Sequence, residues 1–214
     1  MVWTIVVAGG SGQRFGQPKQ FSPLGGRPVV SWSVEASRTW STGGIVLVVP
    51  AGCSDSYGAD VVIEGGPTRS DSVRRGLSGV PHNADVILVH DAARPLASPK
   101  IFSAVLDAVT SDGADAAVPG LPVRDTIKVV DDRRIVTGTL DRSTLVAVQT
   151  PQAFQAEVLR RAHDSGTDAT DDAALVEQLG ATVHVVAGEE RNLKITTPDD
   201  LRAAERLIGA GAGE

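Results

Sequence analysis

The sequence predicts an α/β fold in which helices flank one mostly parallel sheet. Three observations lead to this prediction. An apolar run, Thr4 to Val7, enters a glycine-rich loop, as buried strands of such sheets do. A second run, Ile45 to Val49, is apolar at every position, which is typical of a strand buried on both faces. Segments with strand and helix patterns then alternate along the chain, which indicates a Rossmann-like sheet.

The expected elements follow from this alternation. In chain order we expect a helix over 28–36, strands at 45–49 and 61–64, a helix from about 70 to 77, a strand over 85–91, a helix over 101–109, a strand over 115–119, a return to the core over 146–154, helices over 156–162 and 171–179, a strand at 183–186 and a last helix over 199–207. Ser70 or Asp71 is expected to cap the helix that reaches Leu77, and Pro198 is well placed to begin the last one.

One segment breaks the alternation. Residues 126–130 and 133–137 have strand patterns, and Asp131 and Asp132 lie at a tight turn between them. A hairpin inserted among alternating strands and helices is expected to leave the main sheet as an arm, about residues 121–148. The alternative is an ordinary hairpin at the sheet edge. No linker or repeat divides the chain, so we expect residues 1–214 to form one domain.

Composition excludes several classes of protein. The net charge of −6 argues against general nucleic-acid binding, although a local cationic pocket could still take a small anion. One cysteine, Cys53, rules out an intrachain disulfide and a cysteine-rich zinc site. No apolar run has the length of a membrane span, and Met1 to Trp3 show no basic region of a signal peptide. We therefore expect no membrane association and a cytoplasmic location.

The loop after the first strand carries the strongest chemical signal. Glycines let successive backbone N–H groups turn toward one anion, and the cations Arg14 and Lys19 can neutralise a polyphosphate. Two familiar glycine loops do not fit this segment. In a dinucleotide-binding fingerprint the third glycine would come one place before Gly16. In a P-loop the lysine would follow a glycine, whereas Lys19 follows Pro18. We interpret the loop as a triphosphate cradle, and the alternative is a plain tight turn. The proposed cradle consists of Ala8, Gly9, Gly10, Ser11 and Gly12.

Two further segments are candidates for the same site. In residues 65–73, a glycine amide and a serine hydroxyl could read a base edge, but a capped turn between strand and helix explains the pattern equally well. The string His90 to Pro95 ends a strand, and ligands of open α/β sheets bind beyond the carboxyl ends of strands. Asp91 there could take a metal, a hydroxyl or an arginine. The alternative is an ion pair with Arg94 that holds the loop, and His90 itself is expected to be packed.

Three strings together carry a resemblance to a known family. The first loop ends in Pro18-Lys19-Gln20, the second string is His90 to Pro95, and the third is Gln149 to Gln152. They resemble the 2-C-methyl-D-erythritol 4-phosphate cytidylyltransferase family, over almost the whole chain. The resemblance implies a nucleotidyltransferase in which a polyol phosphate attacks the α-phosphorus of CTP and releases pyrophosphate. It also implies Mg²⁺ on the CTP phosphates, and a homodimer in which each arm completes the partner's site.

The resemblance also implies a role for individual residues. The residues with an implied catalytic role are Arg14, Lys19, Arg142 and Lys194. Those implied to lie near the cytosine are Gly66, Arg69 and Ser72. Those implied to border the acceptor are Asp91, Arg94, Thr126, Thr150 and Thr170. The chain departs from the family at two positions. An alanine usually stands at the position of Gly9, and an acidic residue near that of Pro67. No carboxylate cluster specifies the ligands of the metal.

Three other functions stay open. Ribitol 5-phosphate cytidylyltransferases use the same chemistry on another acceptor, and Gly9 suits them as well. Sugar 1-phosphate uridylyl- or guanylyltransferases share the first loop but lack the string from His90 to Pro95. A non-catalytic module would bind CTP without turnover, and the presence of both Arg14 and Lys19 argues against it.

Overall fold

The structure of the protein is a computed structural model that describes residues 1–9, 18–164 and 166–211. Its strands are β1 (Val2–Val7), β2 (Pro23–Leu24), β3 (Arg27–Pro28), β4 (Gly44–Val49), β5 (Val61–Glu64), β6 (Val86–Asp91), β7 (Ala116–Pro122), β8 (Lys128–Val130), β9 (Val136–Thr139), β10 (Val146–Val148), β11 (Gln152–Gln155) and β12 (Val183–Ala187). Its α-helices are α1 (Val29–Arg38), α2 (Arg69–Leu77), α3 (Pro99–Thr110), α4 (Ala156–Asp164), α5 (Asp172–Gln178) and α6 (Pro198–Gly211). Two 3₁₀ turns cover Lys19–Phe21 and Arg142–Thr144.

The main sheet is mixed but mostly parallel, as predicted. Its strand order is β10-β7-β11-β6-β1-β4-β5, and β12 pairs with β7. Strands β6, β1, β4 and β5 are parallel neighbours, and β12 is parallel to β7. Strand β11 is antiparallel to both β6 and β7, and β10 is antiparallel to β7. Residues 146–154, which were expected to return to the core, contain these two antiparallel strands, β10 and β11.

The core lies on both faces of this sheet. Because successive side chains of a strand point to opposite faces, β1 and β4 contribute to two layers. Ile5 and Val48 pack in the cluster that contains Val73 of α2, and Val6 and Leu47 pack on the other face with α1. Every residue of β4 is buried, which confirms the prediction from its continuous apolar run. The carboxyl ends of β1, β4 and β6 thus lie side by side at one edge of a rigid sheet.

The hairpin leaves the main sheet, which confirms that prediction. Strands β8 and β9 form a two-stranded sheet of their own. Strand β8 begins at Lys128 rather than at Thr126. Strand β9 begins at Val136 rather than at Arg133, because the turn before it is longer: the Asp131 carboxylate accepts hydrogen bonds from the backbone of Arg133 and Ile135, and Arg134 has a positive φ of 61°. Large apolar side chains of this segment are exposed, and Ile135 is the most exposed at 59%.

The start of α2 differs from the prediction. Its cap is Thr68, whose hydroxyl accepts a hydrogen bond from the backbone N–H of Asp71 at 3.0 Å. Asp71 is already inside the first turn and forms an ion pair with Arg74. Because the cap lies two residues earlier than expected, Arg69 becomes the first residue of the helix. Pro198 does begin α6, as expected. Among the described residues, no helix has the length and apolarity to cross a membrane.

Candidate active site

The first loop is described only at its two ends. Gly10, Ser11, Gly12 and Arg14 lie outside the described residues. Ala8 follows β1, and both of its backbone groups are occupied: its N–H donates to the Val48 carbonyl at 2.7 Å, and its carbonyl accepts from Gln20 at 2.6 Å. A cradle made of backbone N–H groups would therefore begin at Gly9 rather than at Ala8.

The other end of the loop is held against the end of β1. Gln20 is buried, and its hydrogen bond to Ala8 joins the two ends of the loop. Its neighbour Phe21 stacks on Tyr57 with ring centroids 5.8 Å apart. Lys19, half-buried in the same 3₁₀ turn, is thereby kept next to the carboxyl end of the first strand. Gln20 was not predicted to have this role, although it belongs to the string Pro18 to Gln20.

The predicted base-reading residues come together. Ser72 Oγ donates to the Thr68 carbonyl at 2.9 Å and accepts from the Gly66 N–H at 3.2 Å. A Cβ on Gly9 would lie 3.1 Å from the same Oγ, so the first loop passes close to this helix. Gly66 has no room for a side chain, since a Cβ there would lie 2.3 Å from the Cβ of Asp71. The absence of a methyl group at Gly9 thus leaves space for the hydroxyl of Ser72.

Asp91 is surrounded by cations. Its Oδ2 lies 2.7 Å from Lys194 Nζ and 3.9 Å from Arg94 Nε, and its Oδ1 lies 3.6 Å from Arg69 Nε. Burial by itself would raise the pKa of Asp91, but the charges of Lys194 and Arg69, the Lys194 hydrogen bond and the charge of Arg94 together hold that pKa well below its usual range. Asp91 is therefore a carboxylate throughout the neutral pH range.

Lys194 reaches Asp91 because its segment is tied to the sheet. Asn192 is fully buried, and its side chain donates to the Thr150 carbonyl at 2.9 Å. The Ile195 N–H donates to the Ala93 carbonyl at 2.8 Å. These two bonds lie on either side of Lys194 and bring it over the end of β6. The sequence analysis predicted a role for Lys194 but missed Asn192, whose only signal was its place two residues before that lysine.

The two arginines near Asp91 also make contacts within the protein. Arg94 donates to the Asn192 carbonyl at 2.7 Å and to the Val148 carbonyl at 3.4 Å, so it joins the loop after β6 to two other segments of the chain. Arg69 donates from Nη1 to Asp172 Oδ2 at 2.7 Å. The structure therefore places Arg69 between two carboxylates, and not only beside the residues expected near cytosine. From the sequence, Asp172 was expected only as part of the helix over 171–179.

Thr150 joins the third string to the second. Its Oγ1 accepts from the Asp91 N–H at 3.0 Å and lies 3.0 Å from His90 Nδ1. His90 is fully buried against Phe102, and burial lowers the pKa of its imidazole to about 4. His90 is thus a neutral, packed residue, as expected from the sequence. Thr150 helps to hold the backbone of Asp91 and is itself buried.

Three predicted site residues lie apart from this cluster within one chain. Thr126 and Arg142 are exposed on the arm, and Arg142 donates to the Arg124 carbonyl. Thr170 is exposed in the turn before α5. Among the described contacts, neither a hydrogen bond nor an ion pair joins any of the three to Asp91.

The described residues contain no metal-ligand cluster. No group of three or more His, Cys, Asp or Glu side chains is arranged to hold a metal ion in 1–9, 18–164 and 166–211. Asp91, the carboxylate best placed for a ligand, is already next to three cations. These residues fit an anionic substrate that brings its own metal better than a metal cage built by the protein.

Comparison with known proteins gives one consistent result. The chain matches the family model described as IspD, 2-C-methyl-D-erythritol 4-phosphate cytidylyltransferase, over residues 2–210. Proteins named 2-C-methyl-D-erythritol 4-phosphate cytidylyltransferase from Nocardia farcinica and Rhodococcus jostii are 46% and 44% identical to it; the alignments cover 97% and 99% of this chain and 94% and 96% of theirs.

A solved structure leads to the same family. The crystal structure of 2-C-methyl-D-erythritol 4-phosphate cytidylyltransferase from Thermus thermophilus superposes with a TM-score of 0.81 at 36% identity, over 96% of this chain and 98% of that one. Sequence and fold therefore agree along nearly the whole length of the chain. Since the family match extends from the first strand into the last helix, the chain belongs to the 2-C-methyl-D-erythritol 4-phosphate cytidylyltransferase family.

Proposed function

We propose that the protein transfers CMP from CTP to 2-C-methyl-D-erythritol 4-phosphate, a step in the synthesis of isoprenoid precursors. The products are 4-diphosphocytidyl-2-C-methyl-D-erythritol and pyrophosphate. The observation that carries the proposal is the group of three cations around Asp91, at the sheet edge where the glycine loop begins and ends. The names of the relatives favour this acceptor over ribitol 5-phosphate and over a sugar 1-phosphate.

The main obstacle to this reaction is electrostatic. Two anions must meet, and negative charge grows on the α-phosphate and on the departing pyrophosphate. Fixed cations and oriented N–H groups can stabilise that charge without a covalent intermediate on the protein. A phosphate monoester is itself a sufficient nucleophile near neutral pH. We assign this stabilising role to Lys19 and Arg14 on the loop and to the N–H groups from Gly9 to Gly12.

Lys194 is the cation best suited to the acceptor. Its side chain is 40% exposed, whereas those of Arg94 and Arg69 are 11% and 24% exposed. Both arginines are also held by contacts elsewhere in the protein. Lys194 can therefore turn its ammonium group toward an incoming phosphate while Asp91 holds it in place. Asp91 remains free to accept a hydrogen bond from a hydroxyl of the acceptor.

The metal in this proposal comes with the nucleotide. We expect Mg²⁺ to enter as a complex with the triphosphate of CTP, where it neutralises part of the charge. The residues described above would then contact the phosphates and the polyol rather than enclose the ion. We assign Gly66 and Ser72 to the cytosine, since they lie together beside Gly9.

We further propose that the active protein is a homodimer joined through the arm. The arm exposes several large apolar side chains, which a monomer would leave in water: Val129, Val130, Ile135, Val136 and Leu140. A second copy is the occupant we propose for this surface. Thr126 and Arg142 would then meet the acceptor in the partner's site, which explains why neither contacts Asp91 within one chain. A cytoplasmic location stays a prediction from the sequence.

The acceptor assay tests the proposed function. The protein is incubated with CTP, Mg²⁺ and either 2-C-methyl-D-erythritol 4-phosphate or ribitol 5-phosphate, and pyrophosphate release is measured. We expect faster release with the methylerythritol substrate. Faster release with ribitol 5-phosphate contradicts the proposed acceptor. CTP binding without release in either mixture contradicts catalysis and favours a nucleotide-binding module.

A further inference from the structure

A line of side-chain contacts, made by four charged residues and one histidine, runs from the exposed edge of the site into the core. Its members are Lys194, Asp91, Arg69, Asp172 and His163, in that order. After the contacts of Asp91 with Lys194 (2.7 Å) and Arg69 (3.6 Å), Arg69 Nη1 lies 2.7 Å from Asp172 Oδ2, and Asp172 Oδ1 lies 2.9 Å from His163 Nε2. We call these five residues the charge chain. Its outer end is the residue we assign to the acceptor, and its inner end is almost fully buried.

We propose that His163 is a positioning residue for the acceptor end of the site. It acts through Asp172, which holds the guanidinium of Arg69 beside Asp91. This inference rests on the proposed function, because it assumes that the acceptor binds at Asp91. It goes further by assigning a role to two buried residues that no step of the proposed reaction uses.

Asp172 depends on both of its partners. Its side chain is completely inaccessible to water, in the first turn of α5. A buried carboxylate is costly unless both oxygens are hydrogen bonded, and here Arg69 takes Oδ2 while His163 takes Oδ1. Without the imidazole, the guanidinium of Arg69 would have to serve both oxygens. The guanidinium of Arg69 would then be drawn toward Asp172 and away from Asp91.

The two ring nitrogens of His163 have different surroundings. Its Nε2 lies 2.9 Å from Asp172 Oδ1, and its Nδ1 is buried without a hydrogen-bond partner in the described part of the chain. Because a carboxylate oxygen can only accept, Nε2 is the ring nitrogen that donates to Asp172.

The backbone of His163 is held as firmly as its side chain. Arg74 Nε donates to the His163 carbonyl at 3.2 Å. Arg74 and Arg69 both belong to α2, so this helix is tied at two points: to the backbone of His163 at the end of α4, and through Asp172 to its imidazole. The imidazole is thus a fixed support for the guanidinium of Arg69, not a mobile surface group.

Two substitutions and one control test the inference. His163→Leu replaces the imidazole with an apolar side chain of similar bulk and removes the hydrogen-bond donor. His163→Gln retains an N–H donor near the position of Nε2. His82→Leu is the control, because His82 is exposed and makes no described contact with the charge chain. We expect His163→Leu to raise the KM for the methylerythritol substrate on the order of tenfold, the effect of one lost hydrogen bond to a charged group. The KM for CTP should change less than about twofold, and His163→Gln should restore most of the loss.

A measurement without turnover separates this inference from the proposed function. The ¹H–¹⁵N spectrum of the arginine Nε–H groups reports the surroundings of Arg69, and its signal is assigned by its loss in Arg69→Lys. We expect this signal to move in His163→Leu, to return toward its original position in His163→Gln and to stay in place in His82→Leu. These shifts are expected whichever polyol phosphate the protein uses.

Two results would overturn the inference. One is a folded His163→Leu protein with an unchanged acceptor KM and an unchanged Arg69 signal. The other is a His163→Gln protein that behaves like His163→Leu, since the residue would then matter only for packing. If His163→Leu does not fold, the inference is tested with His163→Gln alone. An acceptor KM that rises in this variant together with the KM for CTP contradicts a positioning role.

Discussion

At the scale of single residues, the site depends on how closely a few atoms approach one another. Gly9 and Ser72 illustrate this, because a methyl group at position 9 would lie 3.1 Å from the serine hydroxyl. That distance is tighter than ordinary van der Waals contact but does not forbid the methyl group. The sequence showed only that Gly9 departs from its family, and the structure provides a physical consequence of that departure.

The first prediction concerns this pair. Gly9→Ala should raise the KM for CTP about two- to fivefold, because its methyl group pushes Ser72 Oγ away from the Gly66 N–H. Ser72→Ala should raise that KM by a similar factor through the lost hydrogen bond. The double variant should be no worse than Ser72→Ala alone, since the methyl group then meets no hydroxyl. Steady-state kinetics of the three variants measures this coupling, and strictly multiplicative effects would contradict it.

The second prediction concerns Asp91 and pH. Because the folded protein lowers the pKa of Asp91, its carboxylate adds stability above the unfolded value of about 3.9, and this contribution fades as the pH falls below about 4. Lys194→Met removes the nearest cation, so the variant should be less stable than the original protein by roughly 1 kcal/mol or less at pH 7. The difference should shrink below about pH 4.

Urea denaturation at several pH values measures this difference in the free energy of unfolding. Lys100→Met is the matched control, because Lys100 is exposed on α3. It should change stability little at any pH. If the free energy of unfolding of Lys194→Met differs from that of the original protein by the same amount from neutral to strongly acidic pH, Lys194 does not stabilise the Asp91 carboxylate.

At the scale of elements, helix starts place the functional side chains. The Thr68 cap makes Arg69 the first residue of α2 and so sets which side chains face Asp91 and Asp172. Ser98 caps α3 in the same way, with its hydroxyl accepting from the Ile101 N–H, but α3 carries no residue of the site. The two caps therefore form a natural comparison between a functional and a purely structural helix start.

The third prediction uses this comparison. Thr68→Ala and Ser98→Ala should each lower the free energy of unfolding by about 1 kcal/mol, the usual value of a helix cap. Only Thr68→Ala should also raise the KM values, because it loosens the turn that carries Arg69 and Ser72. If the two variants lose the same stability and have the same KM values, the Thr68 cap does not position the site.

At the scale of the whole molecule, the arm and the sheet are separate structures within one chain. The arm forms its own two-stranded sheet and leaves apolar side chains in water. The sheet gathers Asp91, Thr150 and Lys194 from segments far apart in sequence. An active site that combines residues of the arm with residues of the main sheet would require a second copy of the protein.

The fourth prediction follows from that division. Lys19→Ala and Arg142→Ala should each lower turnover by on the order of 10²-fold, since each removes one fixed cation. Mixing the two variants should restore up to about a quarter of the original activity, because about half of the dimers would be mixed and each mixed dimer contains one site with both cations. Light scattering should give the mass of a dimer. Failure to regain activity in dimers shown to have exchanged subunits would assign Arg142 to its own chain's site or to none.

Much of the fold could be predicted because local patterns determine it. The apolar runs of β1, β4 and β6 and the helical spacing of α1 and α3 depend on neighbours in sequence, and each of these elements was found. The hairpin was expected to leave the sheet and does so. The predicted start of its second strand was wrong because Asp131 closes a longer turn than the residue types suggested. The return over 146–154 contains two strands, β10 and β11, which are separated around Pro151.

The site was predictable only where residues stand in recognisable strings. By itself the sequence determined the parallel sheet, the glycine loop with its cations, and Asp91 at the end of a strand. Only the tertiary structure decided that Arg69 lies between Asp91 and Asp172, that Asn192 helps to bring Lys194 to the sheet, and that His163 supports Asp172 from within the core. The physical reason is that most of these contacts join segments far apart in the chain, and no local pattern records which distant charge will neutralise a buried one.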